Sequence, residues 1–351
     1  LLGLVFIFLG CISFYWVIQV SEYHWLIAAV FVLASGATFL QIAANGYVVL
    51  QSHPRKAASN LSFAQSLNSL GRIFTIFFGT YLIFMLTDVN VEDLESASPT
   101  NIVQSIKDII KYPYIFMAAI TVITFILIFT SKLPSINTKN LKILVDENQE
   151  KITNVFKIKH LLLGALAIFG YVGAEAAIGS NLLTYIQQIN DESKGIISEK
   201  EMIELVQYYW ASSFVGRLIG GFIMRDLSPR NLMAIFATLA VISISVSILS
   251  SGEVAIISIV LVGFFNSILF PALFTMSING LGHLAEEGAS VLISSIVGGA
   301  IVPILVIYAA KFSSFKISMI IPIICYIYIV YFSLFGSRFK KIKVQEVQVL
   351  E

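Results

Sequence analysis

Long apolar runs recur along this chain at 1–20, 24–50, 58–87, 113–131, 160–189, 201–224, 231–250, 253–280, 287–310 and 315–336. About 20 helical residues cross the roughly 30 Å hydrocarbon core of a bilayer. Only a helix or a closed barrel pairs every backbone N–H and C=O there. Barrel strands alternate in polarity over about ten residues, whereas these runs are apolar throughout. The spacing predicts an all-α polytopic membrane protein. Composition agrees, with 57% of residues hydrophobic and 12% charged, the latter about half the share usual in soluble domains. Among 22 Lys/Arg and 21 Asp/Glu, only Arg72, Glu175 and Arg217 lie well inside a run. A net charge of +1 gives no electrostatic reason to expect a nucleic-acid partner. Cys11 and Cys325 fall within apolar runs, and His24, His53, His160 and His283 show no HExxH spacing. Neither a disulfide framework nor a metal site is expected, and no nucleophile–base set points to an enzyme.

Loop charges set the orientation. If 1 is cytoplasmic, the inside segments include 51–57, 132–159, 225–230 and the tail 337–351, and they hold most of the Lys/Arg. The acidic Asp88, Glu92, Asp93 and Glu95, and Asp191, Glu192, Glu199 and Glu201, then fall outside. The positive-inside rule favours this arrangement, with a cytoplasmic C-terminus. The loop 132–159 carries Lys132, Lys139, Lys142, Lys151, Lys157 and Lys159 and divides the chain. We expect an N-terminal helical half at 1–131 with four spans, a basic cytoplasmic linker at 132–159, a six-helix half at 160–336 and a cytoplasmic tail at 337–351. Transporters of two six-helix halves joined by a basic linker are a common plan. On that plan two helices are missing before Leu1, and we expect an N-terminally incomplete chain with about 10 of 12 helices.

Polar residues within the runs suggest the function. An acid in hydrocarbon is costly and usually faces a polar cavity or a partner. Glu175 is such an acid, set among small residues in Gly170-Tyr-Val-Gly-Ala-Glu-Ala-Ala-Ile-Gly-Ser180. It either receives a substrate hydroxyl or coupling ion, or serves as a fixed acceptor for a neighbouring helix. Gln41 and Asn45 are four apart and Gln65 and Asn68 three apart, so each pair shares a helix face. Asn181, Asn266 and Asn279 add amides later in the chain. Amides donate and accept, as sugar hydroxyls do, although they also bridge membrane helices without any ligand. Tyr47, Tyr171, Tyr185, Tyr209 and Trp210 are candidate stacking residues, or members of aromatic belts. Gly46, Pro271, Pro303 and Gly298-Gly299 mark expected bends. Arg217, Asp226 and Arg230 lie at or near a short basic turn and are expected to form a cytoplasmic gate, or only to fix topology.

Several blocks of this sequence resemble the fucose/galactose/glucose proton symporters of the major facilitator superfamily. They are Leu40-Gln-Ile-Ala-Ala-Asn-Gly-Tyr-Val48, Ser62-Phe-Ala-Gln-Ser-Leu-Asn-Ser-Leu-Gly71, Tyr171-Val-Gly-Ala-Glu-Ala-Ala-Ile-Gly-Ser180, Phe265-Asn-Ser-Ile-Leu-Phe-Pro-Ala-Leu-Phe274 and Ile296-Val-Gly-Gly-Ala-Ile-Val-Pro303. The resemblance implies the major facilitator fold and places Leu1 in the family's third helix. Gln41 and Asn45 match a fourth-helix motif in which some members carry Glu at the Gln41 position. Gln65 and Asn68 match fifth-helix residues that look towards the cavity, and Glu175 matches a seventh-helix acid. The usual Asn-Pro is Asn45-Gly46 here, and Gln41 cannot titrate.

These readings converge on a secondary active transporter of a bacterial inner membrane. A monosaccharide would bind Gln41, Asn45, Gln65, Asn68, Glu175, Asn181 and Asn266 near the midplane while the halves alternate access. No cofactor is expected. The coupling ion would be H+ carried by Glu175, with Na+ as the alternative. The expected partners are the sugar and the lipid bilayer, with the chain acting as a monomer. A facilitator for another small polar solute, or a sugar-binding membrane protein that does not transport, is the alternative.

Overall fold

A computed structural model describes residues 1–20, 22–86, 99–132 and 154–337. The long helices are α1 (Leu2–Val20), α2 (Tyr23–Gln51), α3 (Ala57–Leu86), α4 (Pro99–Thr130), α5 (Lys159–Glu192), α6 (Glu199–Ile223) and α7 (Pro229–Leu249). They are followed by α8 (Gly252–Asn266), α9 (Leu269–Ile278), α10 (Ala285–Ser294), α11 (Gly298–Phe312), the short α12 (Phe315–Ser318) and α13 (Ile320–Tyr331). A π-helical turn, Phe332–Gly336, ends the last span. Among the described residues, 8 helical segments are long and apolar enough to cross a membrane. The chain is an integral membrane protein with multiple spans. The expected spans 58–87 and 201–224 form α3 and α6 but are not among the eight. In α6, Glu199, Lys200, Glu201 and Glu204 at its start, with Gln207 and Arg217 further on, lower its hydropathy. Most of the expected linker 132–159, the tail beyond Ser337 and the side chain of Arg72 lie outside the described residues.

Three boundaries differ from expectation. The span expected at 113–131 begins at Pro99, because Ile102, Val103, Ile106, Ile109 and Ile110 repeat with helical period. The span expected at 253–280 is two helices, α8 and α9, that meet at Ser267-Ile268. Pro271 sits in the first turn of α9 and has no N–H for the Ser267 carbonyl four residues back. The span expected at 287–310 is α10 and α11 joined by a 3-10 turn, Ser295–Val297.

Compactness divides the chain into two units, Leu1–Asn45 with Leu70–Ser135, and Gly46–Ser69 with Ile136–Glu351. In the first, α1 packs against α4, and Phe14 stacks on Tyr114 with ring centroids 4.2 Å apart. Helix α1 also meets α2 through glycine. A Cβ on Gly36 would lie 2.6 Å from the Ile7 backbone nitrogen, and one on Gly10 2.8 Å from the Leu33 backbone. Backbone that close leaves no room for a side chain. Gly36→Leu is therefore expected to destabilise the purified protein by about 1–3 kcal/mol. A thermal unfolding midpoint unchanged in detergent would show that the contact yields without cost.

In the second unit, α5 is the central helix. It packs against α6, α8, α9, α10, α11 and α13, and Tyr171, Ala174, Ala177, Ile178, Leu182 and Tyr185 along it are buried. Small residues bring the neighbours in: a Cβ on Gly298 would fall 2.1 Å from the Phe169 carbonyl oxygen. The residues 46–69 join this unit because the first turns of α3 pack on α6. Phe63 meets Phe222 edge-on at 4.9 Å, and Gly221 lies beneath it.

Candidate functional site

Local signals place α6. Ser198 caps it in a reciprocal box with Glu201: the Ser198 hydroxyl accepts from the Glu201 N–H, and the Glu201 carboxylate accepts from the Ser198 N–H at 2.7 Å. This fixes the register that puts Arg217 four turns further on, where it is 3% exposed. A guanidinium that deep needs an acceptor for each face, and three elements of the second unit supply them. Nε donates to the Ser267 carbonyl at 3.2 Å, the group that Pro271 leaves without a helical partner. One terminal nitrogen donates to the Ser69 hydroxyl at 2.5 Å and the Gln65 carbonyl at 3.2 Å. The other lies 3.6 Å from Glu175 Oε1, with the two side chains 4% and 14% exposed. The charges at 175 and 217 therefore form one buried pair.

The start of α3 is held to α6 by hydroxyls. Ser62 donates to the Arg217 carbonyl at 2.8 Å and Ser59 to the Gly221 carbonyl at 2.6 Å. Ser59, Ser62, Ser66 and Ser69 are all buried and recur at the spacing of one helix face. That serine stripe was legible in the sequence as a period and was missed, because small polar residues blend into an apolar run. Beyond it, Arg225 lies over the rings of Phe63 and Phe222, 5.2 and 5.1 Å from their centroids.

Of the amides, Asn266 is 1% exposed. It donates to the Tyr209 hydroxyl at 3.0 Å and accepts from Tyr326 at 2.5 Å, bridging α6, α8 and α13. Asn181 turns back on its own helix, donating to the Ala177 carbonyl at 2.8 Å. Gln65 is half-buried and Asn68 exposed on α3, while Gln41 is exposed and Asn45 buried on α2 in the first unit. Tyr185 hydrogen-bonds Ser247 at 2.9 Å within the core, and Tyr209 meets Trp210 edge-on. Of the three expected gate residues, Arg217 and Arg230 take different partners. Arg230 donates to the carbonyls of Ser333, at 2.7 Å, and Leu334 in the π-helical turn. Ser333 donates back to the Arg230 carbonyl at 2.5 Å. Asp226 is exposed in the turn before α7. A cavity of about 210 Å³ lies elsewhere, between Val49–Ala57 and Asn279–Ala285, with mostly apolar lining.

The sequence profile of the Major Facilitator Superfamily matches residues 1–303. The chain belongs to that superfamily. It is accordingly a transporter by family and not an enzyme. A glucose/galactose transporter of Brucella abortus is 34% identical over 336 residues, covering 96% of this chain and 77% of that one. The L-fucose-proton symporter of Escherichia coli is 27% identical over 346 residues, with the same 96% and 77% coverage. The crystal structure of the Escherichia coli fucose:proton symporter superposes with a TM-score of 0.81 at 24% identity, over 96% of this chain and 83% of that one. The all-helical fold of this chain is thus the major facilitator fold, as the sequence blocks implied.

Proposed function

We propose that this transporter carries a monosaccharide of the glucose, galactose or fucose kind across a bacterial inner membrane, together with a proton. The observation that carries the reading is the buried Glu175–Arg217 pair in a chain whose relatives include a glucose/galactose transporter and an L-fucose-proton symporter. Buried ionisable groups in membrane helices mark ion or substrate pathways. An acid held by a cation can exchange that partner for a proton or for a sugar hydroxyl. Gln65 and Asn68 on α3 face outward enough to meet a ligand, and Asn181 has a carbonyl oxygen to spare as an acceptor. Gln41 and Asn45, carried by the first unit, are proposed as sugar ligands in their own right. Asn266 enters as a residue that orders Tyr209 and Tyr326. The two helical halves, 1–131 and 160–336, would alternate access about the linker 132–159, with the C-terminus cytoplasmic and the single chain as the working unit.

Uptake of labelled hexoses, pentoses and amino acids in transport-deficient cells tests this reading. Accumulation of a hexose, lost with a protonophore and unaffected by sodium removal, is expected. Sodium-dependent uptake would replace H+ by Na+, and uptake confined to amino acids would overturn the sugar assignment. Glu175→Gln is expected to abolish accumulation against a gradient. Accumulation that persists in this variant with its pH dependence intact would remove Glu175 from coupling.

A further inference from the structure

We infer that the cavity between Val49–Ala57 and Asn279–Ala285 is a binding site for a small phosphorylated sugar that enters from the cytoplasm. This rests on the transport reading above. The whole lining belongs to the second unit. The volume of about 210 Å³ falls below the roughly 300–1,000 Å³ of sites for drug-sized ligands, so the occupant is small.

Much of the wall is apolar: Val49, Ala57, Ile278, Leu281 and Ala285 line the cavity and are buried. Such a wall suits the C–H face of a sugar ring, and a few polar groups then fix its orientation. Here those groups are donors. Gly280 and Gly282 pass along one side with φ of 81° and 53°. Glycine adopts such angles without strain, so main chain rather than side chains forms that wall. The N–H groups of Gly280 and Gly282 have no acceptor among the described residues, and neither does the exposed side-chain amide of Asn279. The Asn279 carbonyl is already engaged. His160 Nε2 donates to it at 3.1 Å, which ties the turn to the start of α5.

The facing wall is the turn 51–57. Arg55 and Lys56 stand between the lining residues Pro54 and Ala57. Both are exposed and without an ion pair among the described residues. Their backbone is fixed, because the Arg55 N–H donates to His53 Nδ1 at 3.3 Å and the Lys56 N–H to the His53 carbonyl at 2.8 Å. Concave main-chain N–H groups with Arg and Lys beside them are suited to phosphate. The acids nearest in sequence, Glu286 and Glu287, are exposed on the first turn of α10 and do not line the cavity.

Loop charges assign both turns to the cytoplasm. There an imported monosaccharide meets the class of reaction that consumes it, phosphoryl transfer from a nucleoside triphosphate to a sugar hydroxyl. The product is the anion this cavity fits. Bound to both walls, it would tie them together and slow further entry as it accumulates.

Thermal unfolding of the purified full chain in neutral detergent at low ionic strength tests the site. The probes are glucose 6-phosphate and galactose 1-phosphate, with glucose and inorganic phosphate as controls. At least one sugar phosphate is expected to raise the midpoint in a saturable way. Its apparent Kd should weaken at least about tenfold in the Arg55→Gln/Lys56→Gln chain, which loses two charge-assisted bonds. Asn279→Asp puts a like charge on the opposite wall and should remove the shift, and it decides if the double variant fails to fold. No shift in the parent, or equal shifts in parent and variants, overturns the proposal. Inorganic phosphate binding as tightly overturns the sugar part of it. A shift from phosphatidic acid in nanodiscs, with none from either sugar phosphate, overturns it in favour of a lipid headgroup. Uptake of labelled hexose into right-side-out vesicles loaded with the active sugar phosphate should fall about fivefold, and uptake equal to that of unloaded vesicles overturns the feedback. Binding needs no transport. A chain that moves no hexose would still show the midpoint shifts, so the two readings fail separately.

Discussion

Arg217→Gln is expected to destabilise the purified protein by about 3–5 kcal/mol, because it strands the Glu175 carboxylate in a buried site. It also deprives the Ser267 carbonyl of its donor, whereas the Gln65 carbonyl keeps the Ser69 hydroxyl. Adding Glu175→Gln to the same chain should recover part of that loss, since the second substitution removes the unpaired charge but not the unpaired Ser267 carbonyl. Neither chain should accumulate sugar. Unfolding in detergent measures the first effect and uptake the second. Arg217→Lys is a sharper variant: it keeps the charge but not the planar fork that reaches acceptors on three elements. A single variant as stable as the parent would mean that the pair contributes nothing to holding the bundle.

The second large effect concerns Asn266. Asn266→Leu preserves size but leaves the hydroxyls of Tyr209 and Tyr326 buried without their shared partner, at about 1–3 kcal/mol each. The expected signature is a lower unfolding midpoint and less protein in the membrane. The KM for sugar in the folded fraction should stay unchanged. A normal midpoint with a raised KM would return Asn266 to the set of direct sugar ligands.

The membrane architecture was legible because a 20-residue apolar run has few alternatives in a lipid environment. Each expected span falls largely on helix among the described residues, and Pro271 announced the break between α8 and α9. The Gly298-Gly299 pair marked the break at Ser295–Val297, whereas Pro303, also read as a bend, sits inside an unbroken α11. The sequence misled at 99–111, where polarity was read as loop although the apolar period was helical. In the site, Glu175 and Arg217 each stood out as charges in hydrocarbon. Their pairing did not, because the two lie 42 residues apart on different helices and only tertiary packing brings them together. Arg230 is expected at a gate from its place in a basic turn, and its partners were not legible. The structure has it donating to the Ser333 and Leu334 carbonyls of a π-helical turn, a feature with no sequence marker.

The Glu175–Arg217 pair also bears on how membrane voltage acts. With both groups ionised the buried pair carries no net charge, and with a proton on Glu175 it carries one positive charge. An elementary charge crossing the full field is worth about 2.3 kcal/mol per 100 mV. An interior-negative potential would then pull on the proton-loaded form and leave the unloaded form untouched. Voltage would hasten delivery into the cell while the empty carrier's return ran at a voltage-independent rate.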